Sequence, residues 1–321
     1  MATVETSARL HFGFQNLSLA HERLYGGIGV SIDAPKIVIE AERAETVQCD
    51  DSEVTPYVED AVEVLDVSGA DVQVTGRFRR HAGLGSGTQL ALAAVVAIAR
   101  AYGRTADPRA LAPELGRGGR SGVGVATFEQ GGFVVDVGHP TERFTTVPPG
   151  TGSWQVPEPI GRWAVPDSWR FLLVQPTGHQ GRSGAQEDQS IRSVVEGADA
   201  EIADQIATLL TRRLLPAVVE GNLTEFGAAV SRLGRLNGAW FADEQGGVYR
   251  PPAGPMIETL STSDAVVGAG QSSWGPTVYG VTTERNADLA REAGERALTA
   301  ADVEGDVRLV AASDEGAVVR D

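Results

Sequence analysis

His81-Ala82-Gly83-Leu84-Gly85-Ser86-Gly87-Thr88-Gln89 runs without a break into Leu90-Ala91-Leu92-Ala93-Ala94-Val95-Val96-Ala97-Ile98-Ala99. Glycine at 83, 85 and 87 lets the backbone turn tightly and approach a ligand with no Cβ in the way. The alanine-rich apolar run predicts a buried helix of about four turns that stops near Gly103. A glycine loop feeding such a helix aims free N–H groups and the positive end of the helix dipole at one spot, an arrangement suited to phosphate or pyrophosphate. A plain tight turn ahead of a core helix would look the same, so the remainder of the chain has to decide.

The 321 residues suit two domains or one large one. A net charge of −16 excludes a nucleic-acid partner held on a broad basic face. Lys36 is the only lysine. This acidic, lysine-poor composition fits a salt-loving cell, the reading preferred here, and also a GC-rich genome. Cys49 stands alone, so no intrachain disulfide forms and a reducing cytoplasm is the expected home. No charged-then-apolar leader opens the sequence, which predicts no export. The longest apolar run, Leu90 to Ala99, is too short to span a bilayer, so no membrane partner is expected.

Strands are expected within Val30 to Glu42 and at Val72 to Thr75, with a short helix from Glu59 to Val67. Asp107 should cap a helix from Pro108 to Leu115, and Gly131-Gly132 should turn into a strand ending at Asp136. The Pro-, Gly- and Trp-rich stretch from Pro148 to Pro166 is read as a linker. Beyond it come a strand from Trp169 to Gln175, a helix from Ile202 to Leu215 broken by Pro216, and a helix from Leu223 to Leu236. Asn222 caps the last of these and Gly238 should end it. Strands at Ala265 to Gly268 and Thr277 to Val281, a helix from Glu284 to Leu298 and a strand from Val307 to Ala311 complete an α+β pattern, with a cleft between domains as the expected site.

The segment His81 to Leu92 resembles the phosphate loop of the GHMP kinase superfamily. Its Gly-Thr-Gln ending is similar to one branch, the β-ribofuranosylaminobenzene 5'-phosphate synthases of methanopterin biosynthesis. Ala8-Arg9-Leu10-His11-Phe12-Gly13 with Tyr25-Gly26-Gly27-Ile28-Gly29-Val30, Ser121-Gly122-Val123-Gly124 with Phe128 to Asp136, and Gly268 to Thr277 resemble further blocks of that branch, in order. The resemblance implies the GHMP kinase fold: an N-terminal domain of the ribosomal-protein-S5-domain-2-like type over residues 1–165 and a ferredoxin-like domain over 166–321. It also implies a homodimer and a magnesium ion.

Position 124 separates two activities within that resemblance. Kinases of the superfamily that use a carboxylate base carry Asp where this chain has Gly124, which cannot accept a proton. Their N-terminal lysine is replaced by Arg9, and a second loop serine by Gly87. The resemblance therefore implies transfer of a ribosyl phosphate from phosphoribosyl pyrophosphate to 4-aminobenzoate or 4-hydroxybenzoate, with loss of carbon dioxide and pyrophosphate. An ATP-dependent small-molecule kinase and a non-catalytic phosphate-binding module remain as alternatives.

The site expected from this reading has several parts. His81, Gly83, Leu84, Gly85, Ser86, Gly87, Thr88 and Gln89 take phosphate. Arg120, Glu129 and Asp136 carry catalysis, with Glu187 as a further carboxylate for the cationic ribosyl carbon. Arg9, His11, Tyr25, Gly26, Gly27, Arg117, Ser121, Arg182, Ser272 and Ser273 bind substrate, and Glu114 binds metal. Phe241 and Trp274 are candidates to stack the aromatic acid.

Overall fold

The computed structural model describes residues 1–144, 150–179, 181 and 184–321, the side chains of 184–186 excepted. Two sheets organise the chain. In the larger, strand Ala2–Asn16 lies against the long strand Arg23–Arg43, antiparallel, with Thr3 opposite Glu40 and Leu10 opposite Val30. The C-terminal half of Arg23–Arg43 pairs with Ala70–Gly76, and its N-terminal half with Phe133–Asp136. The final strand, Val318–Arg320, returns to the outer edge of Ala2–Asn16. The smaller sheet is antiparallel in the order Gly305–Val310, Trp169–Pro176, Val278–Thr283, Gly268–Gln271.

The helix foreseen behind the glycine loop is Ser86–Ala101, and its residues Leu90 to Val95 are fully or almost fully buried. It packs on the two long strands and on helix Thr55–Leu65. Burying so continuous an apolar surface stabilises by roughly 25 cal/mol per Å² of area removed from water. This fixes the glycine loop to the buried core. A cluster of Phe12, Phe133, Phe171, Phe226 and Tyr279 carries the core across from one sheet to the other.

Several expectations need correction. The supposed linker contains strand Pro159–Trp163, paired with Phe133–Asp136, because Trp163 packs its ring on Phe133. Pro216 does not break its helix. Helix Ala200–Leu209 passes through a wide π turn at Leu210–Leu214, which takes up the missing N–H, and continues as Leu215–Glu220. Gly238 lies inside helix Leu223–Trp240 instead of ending it, since a Cβ there would stand 2.1 Å from the carbonyl oxygen of Val248. Strand Ala2–Asn16 and helices Gly184–Gly197 and Ala253–Ser261 were not foreseen. The caps at Asp107 and Asn222 form as expected, each side chain accepting backbone N–H groups of its helix. Among the described residues no helix is long and apolar enough to cross a membrane.

Candidate functional site

Gly83 and Gly85 both take φ near +83°, and His81 takes +57°, so the loop coils left-handed before the helix begins. As a result the backbone N–H groups of Gly83, Leu84, Gly85, Ser86 and Gly87 donate to no acceptor among the described residues. Five successive free donors at a helix N-terminus form a nest for an oxyanion. The loop's carbonyls, by contrast, are tied down. The Gly83 carbonyl accepts from Arg9 Nη1 at 2.7 Å and from Ser272 Oγ at 2.8 Å, and the Leu84 carbonyl accepts from Arg9 N–H at 3.1 Å.

The nest opens into a cleft of about 1120 Å³ between the two sheets. Among the described residues six arginines line it: Arg9, Arg80, Arg117, Arg120, Arg143 and Arg192. In a chain of net charge −16 this is a strong local reversal. Glu187 and Asp188 are the lining carboxylates among the described residues, and both pair with Arg120, at 3.3 and 3.0 Å. Arg9 Nε, Arg80 Nε, Arg117 Nε and Arg143 Nη2 are buried without an acceptor among the described residues. Donors left this way call for a ligand with acceptors. Burial lowers the Arg9 pKa to about 10, which leaves it charged at neutral pH, and Glu187 offsets part of that effect.

Two groups of arginines on aromatic rings line the cleft. Near the nest, Arg80 and Arg117 stand over the Tyr57 ring, each 5.5 Å from its centre, and Arg117 lies beside Gly87. In the second, Arg143 lies over Trp154 at 5.7 Å and Arg192 over Phe144 at 5.0 Å. Tyr25 meets His139 edge-on there, at 6.3 Å. Trp154 is held by a hydrogen bond from its Nε1–H to the Arg117 carbonyl at 2.7 Å.

Of the expected site residues, Arg9, His11, Tyr25, His81, Gly83, Gly85, Ser86, Gly87, Thr88, Arg117, Arg120, Ser121 and Ser273 line the cleft, as do Glu187, Phe241 and Trp274. Others do not. Gln89 is fully buried, accepting from Thr6 Oγ1 and donating to the Gly124 carbonyl, so its amide is spent on packing the helix against its neighbours. The Leu84 side chain is core. Ser272 is fully buried, accepting His11 N–H at 3.1 Å and donating to Gly83; it clamps two loops together and cannot reach a substrate. Glu129 turns away to pair with Arg109 at 2.7 Å. Glu114 is exposed and outside the lining. Arg182 lies outside the described residues.

Asp136 is fully buried and does not line the cleft, which it meets only from behind, through Ser121. Its Oδ2 accepts from Gly27 N–H at 2.9 Å, Gly122 N–H at 2.7 Å and Ser121 Oγ at 3.0 Å, and its Oδ1 from Gly138 N–H at 2.8 Å. Burial pushes its pKa up to about 6 and the four donors hold it from rising further, so the carboxylate is ionised at neutral pH. Gly26 and Gly27 belong to this knot. A Cβ at Gly27 would stand 1.9 Å from Ser121 Oγ.

Tyr57, Arg80, Arg143, Phe144, Trp154, Arg192 and Asn237 line the cleft without having been foreseen. Arg80 sits one residue ahead of the loop and was legible there. Asn237 was hidden in a helical pattern, yet its amide brackets the backbone of Phe14, accepting N–H at 2.7 Å and donating to the carbonyl at 3.0 Å.

Two cleft histidines are held neutral. Burial, with Arg9 and Arg120 nearby, pushes His11 down to about 3; burial and Arg143 push His139 down to about 4. In the unfolded chain both titrate near 6.5. The unfolded state therefore binds more protons between these values, and the contribution to stability is complete above pH 6.5 and lost as pH falls toward 4 and below. The melting temperature of His139→Gln is expected to fall less steeply than that of the parent between pH 6.5 and 4.5. Parallel curves would contradict the burial of a neutral His139.

A phosphate nest on a buried helix, facing a cleft between a large mixed sheet and a small antiparallel one, defines a protein of the GHMP kinase fold. The GHMP kinases N terminal domain matches residues 55–132 and the GHMP kinases C terminal domain residues 214–300. The solved L. major mevalonate kinase in complex with R-mevalonate shares the fold at a TM-score of 0.68 and 14% identity, over 97% of this chain and 96% of that one. Beta-ribofuranosylphenol 5'-phosphate synthase of Methanothermobacter thermautotrophicus is 30% identical over 307 residues, 91% of this chain and 92% of the relative. Its namesake from Archaeoglobus fulgidus is 32% identical over 302 residues, 91% of each. The chain belongs to the beta-ribofuranosylphenol 5'-phosphate synthase family and is an enzyme of that class.

Proposed function

We propose that the cleft joins phosphoribosyl pyrophosphate to a para-substituted benzoate, 4-hydroxybenzoate or 4-aminobenzoate, with release of carbon dioxide and pyrophosphate. The observation that carries this reading is the cleft's charge set: a nest of five free N–H groups among six guanidiniums, with both lining carboxylates engaged by Arg120. Position 124 supports it further. Gly124 offers no side chain, and a Cβ there would already press on Thr88 at 3.2 Å. A kinase that relies on a carboxylate base would need a side chain here, whereas this transfer moves no proton.

The nest and Arg117 hold the pyrophosphate. Its oxygen leaves with the electron pair of the bond to the anomeric carbon, and the N–H groups stabilise the charge that develops. The ring carbon bearing the carboxylate forms the new bond to the cationic ribosyl carbon. The bond to the carboxyl carbon then breaks, and its electron pair restores the aromatic ring. No proton has to move.

Magnesium fits the cleft as a passenger of the pyrophosphate. Among the described residues no group of three His, Cys, Asp or Glu side chains is placed to hold an ion, so phosphate oxygens would supply most of its ligands, and Glu187 and Asp188 would add to them only on leaving Arg120. When bound, the ion neutralises charge on the leaving group.

The benzoate ring lies among Tyr25, Phe144 and Trp154 beside Arg143, with its carboxyl-bearing carbon turned toward the nest. Arg143→Met is expected to raise KM for the benzoate at least about tenfold and leave KM for phosphoribosyl pyrophosphate within about threefold. The opposite split would assign Arg143 to the sugar's 5-phosphate. Occupancy of the nest is tested by thermal shift: phosphoribosyl pyrophosphate should raise the melting temperature at concentrations where ATP does not. Stabilisation by ATP alone would contradict the reading.

A further inference from the structure

Ser121 Oγ carries one proton and two acceptor sites, and all are occupied. The proton goes to Asp136 at 3.0 Å, and the oxygen accepts from Val123 N–H at 3.2 Å and faces His11 Nε2 at 3.3 Å. The His11 contact can therefore be made only by a proton on Nε2, which leaves a lone pair on Nδ1. Burial and the adjacent guanidiniums of Arg9 and Arg120 keep a second proton away. Nδ1 has no partner among the described residues, and His11 lines the cleft. In a cavity dominated by donors, this is a locked acceptor.

Its position narrows what it meets. The His11 N–H donates to Ser272 Oγ, Ser272 donates to the Gly83 carbonyl, and Ser273 N–H donates to the His11 carbonyl at 3.0 Å. His11 is thus bolted to the nest, so the part of a ligand beside Nδ1 is the part next to the bound anion. In a ribosyl pyrophosphate that part is the sugar carbon adjoining the anomeric centre. The para substituent of the benzoate lies at the far end of its ring from the reacting carbon.

We propose that His11 Nδ1 accepts a hydrogen bond from the ribose 2-hydroxyl. The inference rests on the phosphoribosyl reading above and adds the residue that recognises the sugar. As the anomeric carbon becomes cationic, the neighbouring O–H grows more acidic and its bond to a fixed acceptor strengthens, as seen at the 2-hydroxyl in glycoside hydrolysis. His11 therefore contributes to the transition state as well as to binding.

Two substitutions separate this role from packing. His11→Gln can still donate to Ser121 but has lost the acceptor at Nδ1, whereas His11→Asn keeps an oxygen near Nδ1 and loses the Ser121 contact. The readout is the ratio of kcat/KM for phosphoribosyl pyrophosphate to that for its 2-deoxy analogue. His11→Gln should lower this ratio about tenfold, and His11→Asn should keep it within about threefold of the parent. A His11→Gln variant that loses both substrates equally, or a loss that appears only with the 3-deoxy analogue, overturns the proposal. Should the parent bind phosphoribosyl pyrophosphate without transferring it, the same ratio taken as dissociation constants decides. A selective loss in His11→Gln then supports the sugar contact while the reaction falls, and equal affinities overturn the contact.

Discussion

Gly83→Ala is expected to lower kcat/KM about a hundredfold or more. Two effects combine. At φ +83° an alanine costs about 1–2 kcal/mol. Its Cβ would also stand 2.4 Å from the Ser272 carbonyl oxygen and 3.2 Å from that of Gly275, both backbone atoms that cannot swing aside. Either the nest or the Ser272 loop must move, and that loop holds both the Gly83 carbonyl and the His11 backbone. A displacement near 1 Å at such a point costs about a hundredfold in rate. Steady-state kinetics with phosphoribosyl pyrophosphate measures it, with far-UV circular dichroism to show that the fold persists. Activity within threefold of the parent would mean that the nest does not hold the leaving group.

Asp136→Asn should destabilise the protein by about 3 kcal/mol while never having touched a substrate. Four donors converge on this carboxylate, three of them backbone N–H groups that cannot turn into acceptors. An amide can offer its oxygen to one side only, and its NH₂ must then face another N–H. Losing hydrogen bonds to a charged group costs about 1.5–3 kcal/mol, and leaving a buried donor unsatisfied adds to that. Thermal unfolding should register a fall of roughly 5–10 °C. A change under 2 °C would show that the burial which raises the Asp136 pKa cancels what its four hydrogen bonds contribute. Because Ser121 loses its acceptor, the orientation of His11 should loosen as well.

The glycine loop and its helix were legible because both signals are local: positive φ demands glycine, and a ten-residue apolar run has few other uses. The strand Ala2–Asn16 was not, because Thr6 and Ala8 take inward positions that a simple alternation would give to large apolar residues. Thr6 is inside because Gln89 needs a partner eighty-three residues away. The same kind of long-range pairing misled the reading of the site. Gln89 and Ser272 looked like ligand-binding side chains by position, yet the fold consumes their hydrogen-bonding capacity. Glu129 looked catalytic until Arg109 claimed it. Gly26, Gly27 and Asp136 belong together, but as a buried knot behind the cleft wall. Arg143 and Trp154 escaped notice since neither belongs to a periodic pattern, and Trp154 is held at the cleft by Arg117, thirty-seven residues away.

The central claim is that this nest grips a leaving pyrophosphate and not a nucleotide about to lose its terminal phosphate. Incubating the protein with phosphoribosyl pyrophosphate and carboxyl-labelled 4-hydroxybenzoate or 4-aminobenzoate, and counting labelled carbon dioxide against pyrophosphate, tests it most directly. One carbon dioxide for each pyrophosphate, with no requirement for ATP, is the result expected. Formation of ADP from ATP and a small-molecule alcohol, with no labelled gas from either benzoate, would contradict it.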